Sequence, residues 1–495
     1  MKKILLFVMV LAVALSSCQK FEDLEKDPNR PGEVPPSLLF TNILYSVYYS
    51  PWGDEQRWNQ YYCSNYAYYD DQEYDWTTTS FNYTQMKNVN QMISEATRSG
   101  LPENNPYSAL GKFFKAYFYV DMSLKLGDVP LIDALKGLEN TTPKYDTQKA
   151  VFKQALTWLE EANSDLQVLN NNLDKSLAGD FMLGNDLTKW QKVVNTYKLR
   201  VLITLSKKET DADLNIKKLF ADVVTNPAKY PVMTSLDDNL KFSYNSSTDK
   251  YPLNQDNYGQ TATRNNMAAT YLNTLVSLKD PRTFIVADPA PAKIKAGLTA
   301  ADYEAYVGAS SGESLDDMST KMLNGEYSAI SKSKYYSTYF GEPCIQIGYS
   351  ELCFNIAEAI NRGWVSGNAE DYYIKGIQSS WTFHGATVDG KWDTYYAQSL
   401  VKYSTTTSTA LTQILTQKYL AFFQNSGWEA YNNNRRTGVP VFLTGAGTAN
   451  SGRIAKRWQY PGSERTTNAD NYNAALTSQF GSKTDDINSD MWIIK

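Results

Sequence analysis

The chain has 495 residues, with 48 basic and 53 acidic side chains and a net charge of −5. No basic excess is available to track a phosphate backbone, which excludes nucleic acid as a partner, and the one histidine, His384, argues against a Ser-His-Asp triad or a His-based zinc site. The notable excess is aromatic, 36 tyrosines and 11 tryptophans, whose apolar rings and polar tips suit wet binding surfaces.

Lys2 and Lys3 precede a run of twelve apolar residues, Ile4 to Leu15, then Ser16, Ser17 and Cys18. That order reads as a secretory signal, too short to span a bilayer, which needs ~20 residues. Leu15-Ser16-Ser17-Cys18 resembles a bacterial lipobox, so residues 1–17 are expected to be removed and Cys18 to carry lipid, the only non-protein group expected. Residues 18–36 then form a tether, with Glu22, Asp23, Glu25 and Asp27 followed by Pro28, Pro31, Pro35 and Pro36, too polar to fold alone. Residues 37–495 are read as a single domain.

Apolar side chains recur at helical spacing over Ser37–Tyr49, Tyr107–Leu126, Thr147–Leu169, Leu187–Leu205, Gly348–Gly363 and Ser408–Phe423. Pro106 opens the second of these and Gly127 closes it. The fold class is therefore mostly α, with tetratricopeptide-like helix pairs packed against a more irregular, loop-rich half. The long stretches 50–80, 127–146, 226–260, 284–341, 384–407 and 437–495 are polar and rich in tyrosine, and loops of that length commonly bind something. The three cysteines after Cys18, namely Cys63, Cys344 and Cys353, read as buried thiols.

Tyr45–Tyr83 holds ten tyrosines and three tryptophans among amides and carboxylates. Sugar rings stack on aromatic faces while their hydroxyls need polar partners. Tyr66, Tyr68, Tyr69 and Trp76 are the candidates for exposed stacking rings, with Trp52 beside Gly53, and Tyr258 closes a second Tyr/Asn/Ser/Asp stretch from Tyr244. Trp58 and Tyr62, four apart, read as a buried helical stripe. A third cluster, Trp381, Trp392, Tyr395 and Tyr396, could complete a binding face or contact a partner. No catalytic or metal site stands out. His384 reads as a packing or capping residue. Glu351, Asn355 and Glu358 share a helix face and, with Arg435 and Arg436, read as a junction of mutually satisfied charges.

An ordered series of short motifs spans the chain. Leu126-Gly127-Asp128-Val129-Pro130, Lys189-Trp190 leading to Lys198-Leu199-Arg200, and Asp280-Pro281-Arg282 come first. Ser350-Glu351-Leu352 with Ala357-Glu358-Ala359, Glu429-Ala430-Tyr431 with Arg435-Arg436-Thr437-Gly438, and Arg457 with Tyr460-Pro461 follow. In this order they resemble the SusD/RagB family of outer-membrane nutrient-binding lipoproteins, with Tyr431 where that family often has tryptophan. The resemblance implies a helical fold that caps a SusC-like TonB-dependent transporter as a lid on the outer face of the outer membrane. It implies capture of glycan, or in some branches peptide, and no chemistry; a structural lid with little ligand binding of its own is the remaining alternative.

Overall fold

The computed structural model describes residues 33–495. The lipid-attachment residue Cys18, the signal segment and most of the tether lie outside them. The periodic segments become helices with identifiable ends. α1 (Pro36–Val47) starts at a proline and is followed by α2 (Tyr83–Arg98). In α3 (Pro106–Leu126) the Asn105 side chain accepts from Ser108 N at 3.0 Å while Ser108 Oγ accepts from Asn105 N at 3.0 Å, which satisfies two otherwise orphaned donors. Gly127 ends it at φ +94°, where a Cβ would also meet the Gln479 amide. Thr147 caps α4 (Gln148–Asn171) and Asp186 caps α5 (Leu187–Thr204) through the backbone N–H groups of their first turns.

α6 (Ile216–Thr225), α7 (Ala269–Ser277) and α8 (Leu315–Leu323) are shorter. α9 (Tyr349–Asn361), α10 (Ala369–His384), α11 (Thr407–Ala421), α12 (Glu429–Thr437) and α13 (Ala469–Phe480) complete the helices of nine residues or more among the described residues. Helices α2, α6, α7, α8, α10, α12 and α13 have no counterpart among the segments read as helical. α8 and α13 sit inside stretches read as irregular because they bury very little: only Met318 in α8, and Tyr472, Ala475 and Leu476 in α13. None of the helices among the described residues is long and apolar enough to cross a membrane.

Consecutive helices pack in pairs, α3 on α4 and α9 on α10 most extensively, with α1 and α2 against each other and α4 on α5. The first core lies among α1 to α5, where Phe40, Phe113, Phe114 and Trp190 meet edge to face. A second core gathers the irregular half around α7, α9, α10 and α11. There Tyr61 stacks on Tyr419 at 4.7 Å and Tyr271 on Phe423 at 4.3 Å. Two short antiparallel ladders tie distant segments: β1 (Tyr62–Ser64) to β3 (Asn265–Met267), and β2 (Leu240–Phe242) to β4 (Cys344–Ile347).

The cores meet at a buried charged seam. Arg200 of α5 holds Glu351 of α9 with two N–H donors and also donates to Gln346 O at 2.8 Å. One turn on, Lys418 Nζ donates to Asn355 Oδ1 at 2.7 Å. The next turn's Glu358, fully buried, accepts from both terminal guanidinium nitrogens of Arg436, while Arg362 Nε donates to it at 2.8 Å. Arg435, half-buried, donates to the carbonyls of Leu124 and Lys456 at 2.8 Å each. The shared helix face read from sequence is therefore real, but Glu351 finds its partner 151 residues away rather than in the arginine pair.

Cys63, Cys344 and Cys353 are buried free thiols. His384 ends α10, fully buried, with Nδ1 3.2 Å from Glu342 Oε2, a packing residue as its neighbours suggested. Trp58 and Tyr62 are not one helical stripe: a short helix, Asp54–Trp58, ends at Trp58, and Tyr62 begins β1.

Candidate functional site

β1 ends at Ser64, and the chain returns to the same place eight residues later. Ser64 N donates to Gln72 Oε1 at 2.7 Å and Gln72 Nε2 donates to Ser64 O at 3.0 Å, which closes the loop at its base. Asn65 fastens one side, its N–H to Arg264 O at 2.7 Å and its amide to Thr263 O at 3.0 Å. Ser319 of α8 donates to Asn65 O. Arg57 fastens the other side: its buried guanidinium pairs with Asp70 and Asp54 and donates to Asp71 O at 2.5 Å. Burial raises the Asp70 carboxyl above its usual range, with Arg57 opposing that rise.

Above this base, Tyr66 O accepts from the N–H groups of Tyr69 and Asp70 at 3.0 and 3.2 Å. That tight turn turns the three rings outward. Tyr68 is 90% exposed and Tyr69 47%, with Tyr66 half-buried beside them. Their rings meet edge to face, Tyr68 on Tyr69 at 5.1 Å and Tyr66 on Tyr69 at 6.4 Å. The Arg264 guanidinium lies 3.7 Å from the Tyr69 ring centre, which holds that ring through a cation–π contact. The segment that supplies Arg264 also supplies Tyr258, half-buried, which packs edge-on against Tyr336 at 5.0 Å with Lys332 Nζ 4.2 Å from its ring centre. Thr261, between them, donates to Tyr336 OH at 3.2 Å. The structure thus places Tyr66, Tyr68 and Tyr69 on one pinned loop, and Tyr258 on the adjoining segment.

Two expectations are overturned. Trp76 is not an exposed stacking ring: it is 6% exposed and stacks on Trp458 at 3.9 Å, with Trp58, Trp428 and Tyr431 around it. Trp52 is also core, its Nε1 donating to Tyr251 OH at 2.8 Å and its ring against Tyr335 at 5.1 Å and Phe423 at 5.6 Å. The physical reason is shared. The second core is walled largely by aromatic rings, so tryptophans from a polar segment fold inward onto other rings while the amides around them bond to backbone. Tyr244 and Tyr251 are buried too, as are Trp381 and Tyr395 of the third cluster. Arg264, Lys332 and Tyr336 escaped sequence reasoning. The aromatic density of Tyr335, Tyr336, Tyr339 and Phe340 inside a stretch read as loop was the signal that could have found the last of them.

Among the described residues no group of three or more potential metal ligands occurs. A frame of paired helices displaying a pinned aromatic loop is the architecture of a binding protein. The chain belongs to the SusD-like family, described as starch-binding and associating with the outer membrane, which matches residues 28–461. Proteins of this family bind nutrients and are not enzymes. A SusD homologue from Bacteroides fragilis is 32% identical over 93% of this chain and 100% of its own, with a TM-score of 0.83. A second from the same species is 32% identical over 94% and 100%, TM-score 0.82. A chitin-binding SusD homologue from Flavobacterium johnsoniae shares the fold at 20% identity over 92% and 97%, TM-score 0.72. Among curated proteins no sequence matches.

Proposed function

We propose that this protein captures glycan at the cell surface and serves as the lid of a SusC-like TonB-dependent transporter, with the loop at 64–72 as its glycan platform. The observation that carries the reading is the pair of exposed rings Tyr68 and Tyr69, with half-buried Tyr66 beside them, on a loop pinned at both ends. Pinning matters because rings held in place lose little conformational freedom on binding. Arg264, Lys332 and the hydroxyl of Tyr258 stand nearby as donors for sugar oxygens. The starch-binding description of the family supports a glycan over a peptide.

The test is affinity electrophoresis and calorimetry on the soluble chain with starch and other polysaccharides, wild type against a Tyr66/Tyr68/Tyr69 triple alanine variant. Stacking on an aromatic side chain is worth ~1–3 kcal/mol per base in nucleic-acid recognition, and on that scale loss of the rings should weaken glycan binding at least about tenfold. Melting should change little, because none of the three rings belongs to either core. Equal retardation of both proteins on every polysaccharide that binds would refute the site.

Residues 37–495 act in this reading as one unit, tethered through a lipid on Cys18. Several acyl chains hold a protein firmly, each buried CH₂ adding ~0.8 kcal/mol. Cys18→Ala, expressed in a Bacteroidetes host, should leave the membrane fraction or remain unprocessed. Processed and membrane-bound mutant protein would rule out the lipid anchor.

A further inference from the structure

A separate cleft of about 400 Å³ opens on the first core, between α2, α3, α4 and the loop that follows α3. It shares no lining residue with the tyrosine loop. Its floor is two rings, Tyr119 and Trp158, 5.6 Å apart and tilted by 37°. Tyr119 is buried and Trp158 is half-exposed, so the platform faces outward. One wall is formed by Leu131, Ile132, Ala134 and Leu135, of which Ile132 is 72% exposed, while Asp133 between them pairs with Lys136 at 2.7 Å. That wall is fixed rather than loose. Asp146 exchanges backbone hydrogen bonds with Val129, and its carboxylate accepts from the N–H groups of Leu131 and Ile132 at 2.8 and 2.9 Å.

The polar groups of the cleft are unused. Asn90, Lys115 and Gln154 line it, each partly buried, and none of their side chains forms a hydrogen bond to another described residue. Lys115 contrasts with Lys112, one turn earlier, which is 2.6 Å from Asp165 and 4.0 Å from Glu161. No carboxylate of a described residue lies within that distance of Lys115, and burial, with Lys112 adding to it, lowers the pKa of its ammonium. An ammonium shielded from water without a counter-charge is costly, and a bound anion would relieve that cost.

These features select a ligand. An apolar ligand would cover the ammonium and leave it unpaired. A neutral sugar would use the rings and the amides but not the charge. We propose that this cleft binds a carboxylate-bearing sugar ring, a hexuronate unit of an acidic glycan, with Trp158 and Tyr119 under the ring, Lys115 on the carboxylate and Asn90 and Gln154 on the hydroxyls.

The experiment is calorimetry on the full chain carrying the Tyr66/Tyr68/Tyr69 triple alanine change, so that the loop platform does not contribute. The probes are trigalacturonate, the uncharged maltotriose and the dipeptide N-acetyl-Glu-Glu. Trigalacturonate should bind more tightly than either, and added salt should weaken it. Lys115→Met should weaken it about tenfold or more, since a charge-assisted contact is lost, while Lys115→Arg keeps it. Trp158→Ala should weaken trigalacturonate as well; if that variant melts early, the Lys115→Met result decides alone. Equal affinity for trigalacturonate and maltotriose, tighter binding of the dipeptide, or an unchanged affinity in Lys115→Met would each overturn the assignment. Because the loop is already disabled, failure here leaves the loop platform untouched.

Discussion

Glu358→Gln should cost about 3–5 kcal/mol of folding stability, the range for breaking a buried ion pair from one side. Glu358 is fully buried and accepts from both Arg436 and Arg362. Neutralising it leaves Arg436 buried without a counter-charge, with Ser206 Oγ at 2.8 Å and Asn433 Oδ1 at 2.7 Å as its other polar partners. Urea unfolding at neutral pH measures the loss, and a double change to Glu358→Leu with Arg436→Met should recover part of it, since a well-packed apolar pair removes both charges at once. The pH dependence supplies a second readout. Burial pushes the Glu358 carboxyl up, but Arg436, then Arg362 and Lys418, outweigh it and hold it down to about 2 from an ordinary 4.5. A depressed carboxylate contributes stability above its unfolded pKa and loses it as pH falls toward the folded one, here about 3 kcal/mol between pH 4.5 and about 2. The penalty of Glu358→Gln should shrink across that window. Lys418 works in the opposite range: burial lowers its ammonium from 10.5 to about 8, so the unfolded chain binds more protons between those values and this group's contribution to stability rises with pH there. A Glu358→Gln penalty below about 1 kcal/mol, or one that stays flat down to pH 2.5, would show that the seam is not the joint between the cores.

Trp76→Ala should lower stability by about 3–5 kcal/mol, the range for truncating a large core aromatic. The ring stacks on Trp458 at 3.9 Å and meets four further aromatic side chains within 5.6 Å, so its removal opens a cavity between segments far apart in the chain. Denaturant unfolding measures it, and the same variant should keep glycan affinity under conditions where it is folded. A variant as stable as wild type that had lost its glycan would return Trp76 to the binding face. Contrasting this result with the triple tyrosine variant separates the two kinds of ring: one set changes stability and the other changes binding.

The helices were legible where the physics is local. Pro106 before α3 and Gly127 after it, and the recurrence of Leu110, Phe113, Phe114 and Tyr117, fix a helix from within about twenty residues of chain. Helices α8 and α13 were not legible, because each buries so few side chains that no apolar period shows. The placement of Glu351, Asn355 and Glu358 on one face followed from a period of 3.6 residues per turn. That Glu351 meets Arg200 did not, since nothing in either segment refers to the other.

The aromatic segment divides the same way. Its composition alone determined that rings and amides would crowd together near one surface, and Tyr66, Tyr68 and Tyr69 do stand out in solvent to differing degrees. Only tertiary structure decided that Trp52 and Trp76 turn inward while those three tyrosines turn outward. A tryptophan in a polar loop is buried if rings from elsewhere are waiting for it, and here Trp458, Trp428 and Phe423 come from nearly 350 residues or more further along. The tyrosines face water because Gln72, Asn65 and Arg57 close the loop beneath them, leaving no core within their reach.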